Sequence, residues 1–289
     1  MTQSVTAGVD GSRESLTAAA WAAGEARRRE LPLRLVYAWD WQPQVYGVLA
    51  DPATHRACAD EVLAKTAALV RKQNPDVEVT AERADGPPAA VLSAEAGRSA
   101  VLALGSRGLG GLAGFLVGSV SQATLARAER PVVVVRGDDE DTSLPAPEAD
   151  VVLGLDLQEP HDDVIAYAFE SAERQHARLR IVHGVTPPAV FGDYSAVRDP
   201  GVRERLLAVA GETLTSYLAP WKDKFPRQPV VQQVEMGRPA GVLLDASSGA
   251  SLVVVGRRIS RIPLGPRIGA VTHAALHHCR GPVAVVPHA

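Results

Sequence analysis

Apolar residues in this chain form short, nearly continuous runs, and longer stretches of mixed polarity separate them. In the first half the runs predict strands near residues 4–9, 33–39, 77–82, 100–104 and 131–136. The stretches between them predict helices near residues 13–29, 53–73, 87–97 and 119–129. Because continuous apolar runs are typical of strands buried on both faces of a sheet, the pattern predicts an α/β fold with a doubly wound parallel sheet and right-handed crossovers.

The second half of the chain repeats the first. Four strings have counterparts in the same order: VTAGVD at 5–10 and VVLGLD at 151–156, LRLVYA at 33–38 and LRIVHG at 179–184, AVLALG at 100–105 and SLVVVG at 251–256, PVVVV at 131–135 and PVAVV at 282–286. This period is much longer than that of a solenoid repeat. We therefore predict two tandem domains, at residues 1–140 and 150–289, joined by an acidic, proline-containing linker at 141–149.

Length and composition narrow the function classes. A chain of 289 residues, 46% of them hydrophobic, can form two folded domains. Its formal net charge of -3 gives no electrostatic reason to expect a nucleic-acid partner. No apolar run approaches the roughly 18 residues of a membrane helix, and no signal peptide is evident. Two distant cysteines without metal-type spacing fit a reduced compartment, so we expect a cytoplasmic protein with no membrane partner.

A glycine-rich segment follows the predicted strand at 100–104 and precedes the predicted helix at 119–129. It contains Gly105, Gly108, Gly118 and Ser119, with the spacing Gly-x2-Gly-x9-Gly-Ser. Glycine lets backbone N–H groups approach phosphate oxygens, and a helix N-terminus adds unpaired donors and partial positive charge. The segment therefore predicts a phosphate site beyond the carboxyl end of a strand, where open α/β sheets bind their ligands.

Two commoner phosphate motifs do not account for this segment. The chain contains no Gly-x-x-x-x-Gly-Lys-Ser/Thr sequence, so it has no Walker A loop. Residues 108–113 (GLGGLA) fit the dinucleotide pattern Gly-x-Gly-x-x-Ala, but they follow the fourth predicted strand instead of the first, and no helix begins directly after them. The remaining alternative to a nucleotide loop is a glycine-rich turn with no ligand.

The glycine spacing resembles that of the universal stress protein family. GVDGS at residues 8–12 and the terminal strand PVVVVR at 131–136 strengthen the resemblance, which covers nearly the whole chain because both halves carry the motifs in the same order. The family includes tandem members of about this length. The resemblance implies two Rossmann-like domains of the adenine nucleotide alpha hydrolase type, related by a pseudo-two-fold axis. It also implies an ATP ligand, with or without Mg²⁺.

The resemblance assigns roles to residues of the first half. Asp10 would accept hydrogen bonds from the ribose or help to hold the metal, and Val9 would contact the base. Ala38 would meet the adenine edge through backbone groups, and Leu104 and Gly105 would pack on the sugar. The remaining predicted residues would hold the phosphates and ribose through N–H and hydroxyl groups: Gly108, Gly118, Ser119, Val120 and Ser121. We expect no catalytic residue and no resident metal ligand.

The second half departs from this pattern. Gly256 and Gly269 are retained, but Ile259 replaces the second glycine of the spacing and Ala270 replaces the serine. A β-branched side chain tolerates positive φ poorly, and alanine removes a hydroxyl donor. We therefore predict that the first domain binds ATP well and that the second binds it weakly or not at all.

Three functions remain open at this stage. We favour an ATP-binding, nucleotide-dependent regulator of a stress or dormancy response, because no catalytic set is evident in the sequence. The first alternative is a slow Mg-dependent ATPase, in which Asp10 helps to place Mg²⁺ and Arg107 stabilises developing charge. The second is a nucleotide-free interaction module.

Two further features bear on partners and metals. The terminal strands at 132–135 and 283–286 are apolar, and in the resembled family such strands pair across a two-fold axis. This predicts an internal pseudo-dimer between the two halves and leaves a homodimer of chains open, with the protein partner unknown. His273 and His277 are spaced for one helix face, but we expect ordinary, partly exposed histidines there instead of a metal site.

Overall fold

The computed structural model of the chain describes residues 3–40, 51–106, 117–137, 149–186, 199–259 and 268–289. The chain divides into two compact units, Met1–Ser143 and Leu144–Ala289. The division lies within the predicted linker, of which only Ala149 belongs to the described residues. Among the helices that the structure describes, none is long and apolar enough to cross a membrane.

In the first unit, strands and helices alternate along the chain. The strands are β1 (Val5–Gly8), β2 (Leu33–Trp39), β3 (Val79–Asp85), β4 (Val101–Gly105) and β5 (Val132–Val135). The described helices are α1 (Arg13–Arg29), α2 (Pro52–Gln73), α3 (Pro88–Arg98) and α4 (Ser119–Leu125). The strand order is β3-β2-β1-β4-β5, and all pairings are parallel. The switch in strand order therefore lies between β1 and β4, where sheets of this type bind ligands.

The second unit has the same topology. Its strands are β6 (Val151–Gly154), β7 (Leu179–Val185), β8 (Val230–Met236), β9 (Leu252–Arg258) and β10 (Val283–His288). Its described helices are α5 (Asp162–Gln175), α6 (Pro200–Lys224), α7 (Pro239–Ala246) and α8 (Ala270–His278). The order β10-β9-β6-β7-β8 is again all parallel. The predicted fold class, two tandem doubly wound parallel sheets, is confirmed.

Each strand and helix predicted in the first half is present, but β3 and α4 end several residues away from the predicted positions. β3 runs to Asp85, beyond the predicted 82, because it pairs on one side only and an edge strand tolerates polar residues. Gly86, with φ of 129°, follows its last residue. Helix α4 ends at Leu125, well before 129. A turn in which the Ala128 N–H donates to Thr124 O (2.9 Å) follows it, and Pro131 then favours extended backbone.

Helix α1 packs closely on its sheet because its buried face consists largely of small side chains. Five of its alanines are fully buried: Ala18, Ala19, Ala22, Ala23 and Ala26. Gly105, at the end of β4, continues this close approach, since a Cβ there would lie 2.8 Å from the carbonyl carbon of Glu14. Gly137 is as constrained, since its Cβ would lie 2.8 Å from Glu14 Cα. The first turn of α1 is thus held against the ends of β4 and β5.

Candidate functional site

Asp10 follows β1 and forms the turn that leads into α1. Its Oδ1 accepts hydrogen bonds from the Ser12 N–H (2.9 Å) and the Ser12 hydroxyl (2.5 Å). Ser12 is the N-cap of α1, and its Oγ accepts from the Ser15 N–H at 3.2 Å. Asp and Ser favour such positions because their short side chains reach nearby backbone donors. One carboxylate oxygen of Asp10 therefore has a structural role.

The second unit builds the same turn with fewer contacts. Asp156 Oδ1 accepts from the Gln158 N–H at 2.9 Å, as Asp10 does from Ser12. Gly11 has φ of 85°, a conformation that its counterpart Leu157 does not adopt. An aspartate at this position is thus explained in both units by local backbone geometry, whatever it does toward a ligand.

The N-terminus of α4 is fixed to the end of β4 by two hydrogen bonds. The Ser121 hydroxyl donates to the carbonyl oxygen of Gly105 at 2.8 Å, and the Gly118 N–H donates to Ser106 O at 2.7 Å. Gly118 is the N-cap of α4, with φ of −62° and ψ of 154°, angles that any residue can adopt. The first N–H groups of a helix have no acceptor within it, so α4 brings such donors to the carboxyl end of β4.

Burial separates the predicted residues into two groups. Ser119 and Val120 are exposed, and Asp10, Ala38 and Gly118 are partly exposed. The buried ones are Val9, Leu104, Gly105 and Ser121. The Val9 N–H donates to Val36 O at 2.9 Å, and a Cβ on Gly8 would lie 2.8 Å from Leu104 Cδ2, so these residues are packed in the core. Gly108 and Arg107 lie outside the described residues.

The last residue of β2, Trp39, lies outside the motifs identified in the sequence. The Trp39 Nε1–H donates to Nδ1 of His55 at 2.8 Å, and the Arg56 guanidinium lies 5.0 Å from the centre of the indole ring. Ala38, beside it, pairs with Ala84 of β3. An aromatic residue at the end of a strand that reaches the ligand-binding edge was the signal available in the sequence.

The second unit contains a cavity of about 360 Å³ at the corresponding strand ends. The ends of β6, β7 and β9 and the N-terminus of α8 line it. The hydroxyl of Thr272 donates to Gly256 O at 2.7 Å, which repeats the bond between Ser121 and Gly105. The second unit therefore retains the hydroxyl that joins α8 to the end of β9. The replacement of serine by Ala270 removes only the hydroxyl two residues earlier, at the start of α8.

Strand pairing extends further in the second unit. In the first unit the last residue pair of β4 and β5 is Gly105 with Val135. In the second, β9 and β10 continue past Gly256 to pair Arg258 with His288, and the Ile259 N–H donates to His288 O at 2.7 Å. The backbone that follows the strand glycine is therefore part of the sheet as far as Ile259.

Two histidines meet where the first unit has small residues. His161 and His288 stack with ring centroids 3.6 Å apart, and both line the cavity. Their counterparts in the repeat are Ser15 and Gly137. Burial lowers the pKa of His288, as do the charges of His161, Arg258 and Arg257, whereas a hydrogen bond with the carbonyl of Ala289 raises it. Aligning the two halves position by position would have revealed the pair from sequence.

The histidines of α8 are arranged differently from our expectation. His273 and His277 stack at 4.1 Å, as their spacing along the helix allows. His277 is buried, so the expectation that these histidines are all partly exposed was wrong. The helix face that carries His277 packs inward together with Leu276 and Ala275.

Comparisons with known proteins match both halves of the chain to one protein family. A model described as "Universal stress protein family" matches residues 1–136 and 149–287. Universal stress protein Rv2005c of Mycobacterium tuberculosis is 33% identical over 293 residues, covering 97% of this chain and 96% of that protein. Universal stress protein Rv2623 of the same species is 31% identical over 290 residues, covering 96% and 94%. A crystal structure of a universal stress protein from Archaeoglobus fulgidus has the same fold, with a TM-score of 0.67, 19% identity and complete coverage (100%) of both chains.

Proposed function

The chain belongs to the universal stress protein family, and on this premise we propose that its first unit binds ATP, with or without Mg²⁺, and that the protein acts as a nucleotide-dependent regulator of a stress or dormancy response. Three neighbouring strand ends supply the site, from β2, β1 and β4. A ligand that crosses these ends would place its base near Ala38, its ribose near Asp10 and its phosphates at the start of α4.

The hydrogen bond between Ser121 and Gly105 is the observation that carries this proposal. It holds the first turn of α4 at the end of β4, next to the switch in strand order. The N–H groups of that turn and the exposed hydroxyl of Ser119 are suitable donors for phosphate oxygens. Glycine at position 118 gives a ligand access to this backbone without an intervening side chain.

Burial limits how the other predicted residues can take part. Val9 and Leu104 are 4% and 3% exposed, so they would shape the floor of the site instead of contacting a ligand over a large area. Gly105 is also buried, and its lack of a side chain is already required by α1. Asp10 is partly exposed, and the turn into α1 uses only its Oδ1. Its Oδ2 is the atom that we assign to a ribose hydroxyl or to Mg²⁺.

A regulatory role fits this geometry better than hydrolysis. A general base must lie within hydrogen-bond reach of the attacking water, and a Mg²⁺ site of this kind needs well-placed oxygen ligands. In the Asp10 carboxylate, Oδ1 is engaged by Ser12, so Oδ2 alone could not serve both as a Mg²⁺ ligand and as a general base. We therefore propose that occupancy of the site, without turnover, changes the surface that the protein presents to a partner.

Calorimetry and a single-turnover assay test this proposal together. The purified full chain is stripped of nucleotide, titrated with ATP, and then incubated with Mg-ATP at enzyme excess. We expect one strong ATP site per chain, because the second unit's backbone after Gly256 is bonded to β10 as far as Ile259. We also expect no hydrolysis above that of a heat-inactivated sample. Two equivalent sites would contradict the first expectation, and Asp10-dependent hydrolysis would support the ATPase alternative. Absence of any ATP binding would support the interaction module.

A further inference from the structure

The cavity of the second unit differs in chemistry from the site proposed for the first. Its volume of about 360 Å³ is at the small end of the range for small-molecule sites. Apolar side chains of Leu155, Val164, Leu243 and Val255 form part of its wall. Imidazoles and a guanidinium form another part, from His161, His183, His288 and Arg258. Two carboxylates, Asp156 and Glu159, also line the cavity, and Glu159 is ion-paired with Arg258. An organic anion would therefore depend on charge carried by the imidazoles.

The backbone directly after Gly256 is not available to cradle a chain of phosphates. β9 and β10 pair two positions beyond Gly256, and the Ile259 N–H is bonded to His288 O. A phosphate loop needs N–H groups that point away from any sheet partner. Here those groups serve the sheet as far as Ile259. Charge recognition therefore falls to side chains and to the first N–H groups of α8, whose residues Ala270 and Val271 also line the cavity. This favours a ligand with a single compact acidic group over a triphosphate.

The stacked pair of histidines supplies the adjustable charge. His161 is the N-cap of α5, and its Nε2 is buried with no hydrogen-bond partner among the described residues. A neutral imidazole offers one donor, whereas imidazolium offers two. An anion in the cavity would be stabilised by a proton on the pair, because opposite charges in a partly buried site attract strongly.

Charged groups around His288 influence the balance between its neutral and charged forms. Arg257 and Arg258 reach it from β9, and Arg258 is ion-paired with Glu159. The remaining titratable groups near the pair are His161 and the first-turn carboxylates of α5, Asp156 after β6, and His183 of β7. His183 Nδ1 lies 2.9 Å from Leu155 O, so that ring nitrogen is engaged by the backbone. An added anion changes this balance in favour of imidazolium.

We propose that the cavity of the second unit binds a small organic anion, an apolar body carrying one acidic group, and that binding brings a proton onto His288, which is stacked on His161. The apolar wall holds the body of the ligand, and the imidazoles and Arg258 hold the acidic group. The proposal does not depend on ATP binding by the first unit, which is measured separately.

The direction of the pH dependence follows from linkage. Without ligand, burial and the charge of His161 lower the pKa of His288, so its charged form is disfavoured. An anion favours the charged form, so its affinity rises as pH falls through the imidazole range. The anion's affinity should rise by a maximum of about tenfold for each unit by which its binding raises the imidazole pKa.

The test uses naphthalene-2-sulfonate as probe, because its charge does not change in this range. Calorimetry on the full chain is run at about pH 8 and about pH 5.5, either side of the ordinary imidazole pKa of about 6.5. We expect binding that is at least about tenfold tighter at the lower pH, with uptake of about one proton. Naphthalen-2-ylmethanol, which has the same ring and no charge, should bind weakly at both pH values.

Variants locate the effect. His288→Gln should remove the pH dependence, whereas His278→Gln, at an exposed site outside the cavity, should retain it. Ala270→Phe fills the cavity from an exposed position on α8 and should abolish binding without unfolding the unit, which circular dichroism verifies. The proposal is overturned if folded wild-type protein fails to bind the probe at the lower pH or binds it equally at both. It is also overturned if Ala270→Phe binds as wild type does, or if His288→Gln keeps the pH dependence.

Discussion

The Ser121 hydroxyl donates a 2.8 Å hydrogen bond to the carbonyl oxygen of Gly105 and so joins the start of α4 to the end of β4. The second unit repeats this bond between Thr272 and Gly256, at 2.7 Å. Because the same bond occurs in both halves, whose other loop residues differ, it belongs to the architecture of the fold. Its presence also fixes the position of the helix N-terminus that we assign to phosphate.

Loss of this bond should reduce both stability and nucleotide affinity. Ser121→Ala removes a buried hydroxyl and leaves the Gly105 carbonyl without this donor, which should cost about 1–3 kcal/mol of unfolding free energy. ATP affinity should fall as well, because the first turn of α4 loses its anchor. Urea denaturation and calorimetry measure the two effects. Ser121→Thr is the matched control, since Thr272 already makes the bond in the second unit. Wild-type affinity in a folded Ser121→Ala protein would refute the anchoring role.

The exposed start of α4 can be tested without disturbing the core. In the double variant Gly118→Ala and Ser119→Ala, position 118 keeps angles that alanine adopts freely, and residue 119 is exposed. Stability should therefore change by no more than about 0.5 kcal/mol. ATP affinity should fall about tenfold or more, since a hydroxyl donor is lost and a methyl group obstructs the backbone. Thermal unfolding and calorimetry give the two quantities, and unchanged affinity would refute the phosphate assignment.

Gly105 should prove essential for packing, whether or not a ligand is present. In Gly105→Ala the new Cβ would lie 2.8 Å from the carbonyl carbon of Glu14 and 2.9 Å from the Ser15 N. Backbone cannot yield as a flexible side chain can, so we expect destabilisation of about 1–3 kcal/mol by chemical denaturation. Gly97→Ala is the control, because beyond its chain neighbours and its own helix backbone no heavy atom of the described residues lies within 4 Å of the added Cβ, and the residue is helical. If Gly105→Ala were as stable as wild type but lost ATP, the glycine would serve the ligand directly.

Two substitutions can separate the structural role of Asp10 from its electrostatic role. Asp10→Asn keeps the Oδ1 that accepts from Ser12, so the turn into α1 should survive, whereas Asp10→Ala should cost about 1 kcal/mol. In Asp10→Asn an amide NH2 group replaces Oδ2, so the acceptor that remains is the oxygen in the turn. If Oδ2 accepts a hydrogen bond from a ribose hydroxyl, ATP affinity should therefore fall in both variants. Calorimetry with and without Mg²⁺ distinguishes the roles, because only a metal ligand makes the loss Mg-dependent. Equal ATP affinity in wild type and Asp10→Ala would remove Asp10 from the site.

The sequence predicted the fold well because its evidence was local. Continuous apolar runs such as that of β4 predict buried strands wherever they occur. The errors concern where two elements end: β3 is longer because it is an edge strand, and α4 gives way after Leu125 to a turn in which the Ala128 N–H donates to Thr124 O. Neither depends on the apolar pattern of the element itself.

The candidate site was harder to predict because one residue can have two reasons to be present. Gly105 fits a phosphate motif, yet the structure gives it a packing partner in Glu14. Asp10 fits a ribose contact, yet it also forms a turn with Ser12. The extension of β10 to His288 could not be predicted from spacing, since a strand's end depends on the partner that it pairs with.

Because of the stacked histidines, we expect the stability of the second unit to depend on pH more strongly in wild type than in a variant without His288. The pKa of His288 is lowered in the folded chain, chiefly by burial and next by the charge of His161. A group of this kind adds stability while it is neutral in both states, and that stability is lost as pH falls below the unfolded imidazole pKa of about 6.5. NMR titration of imidazole Cε1–H signals should give His288 a pKa below the ordinary imidazole value of about 6.5. Thermal unfolding of His288→Gln should vary less than wild type between about pH 7.5 and about pH 5.5. A His288 pKa at or above the ordinary value would contradict this account, because burial and the charge of His161 should both lower it.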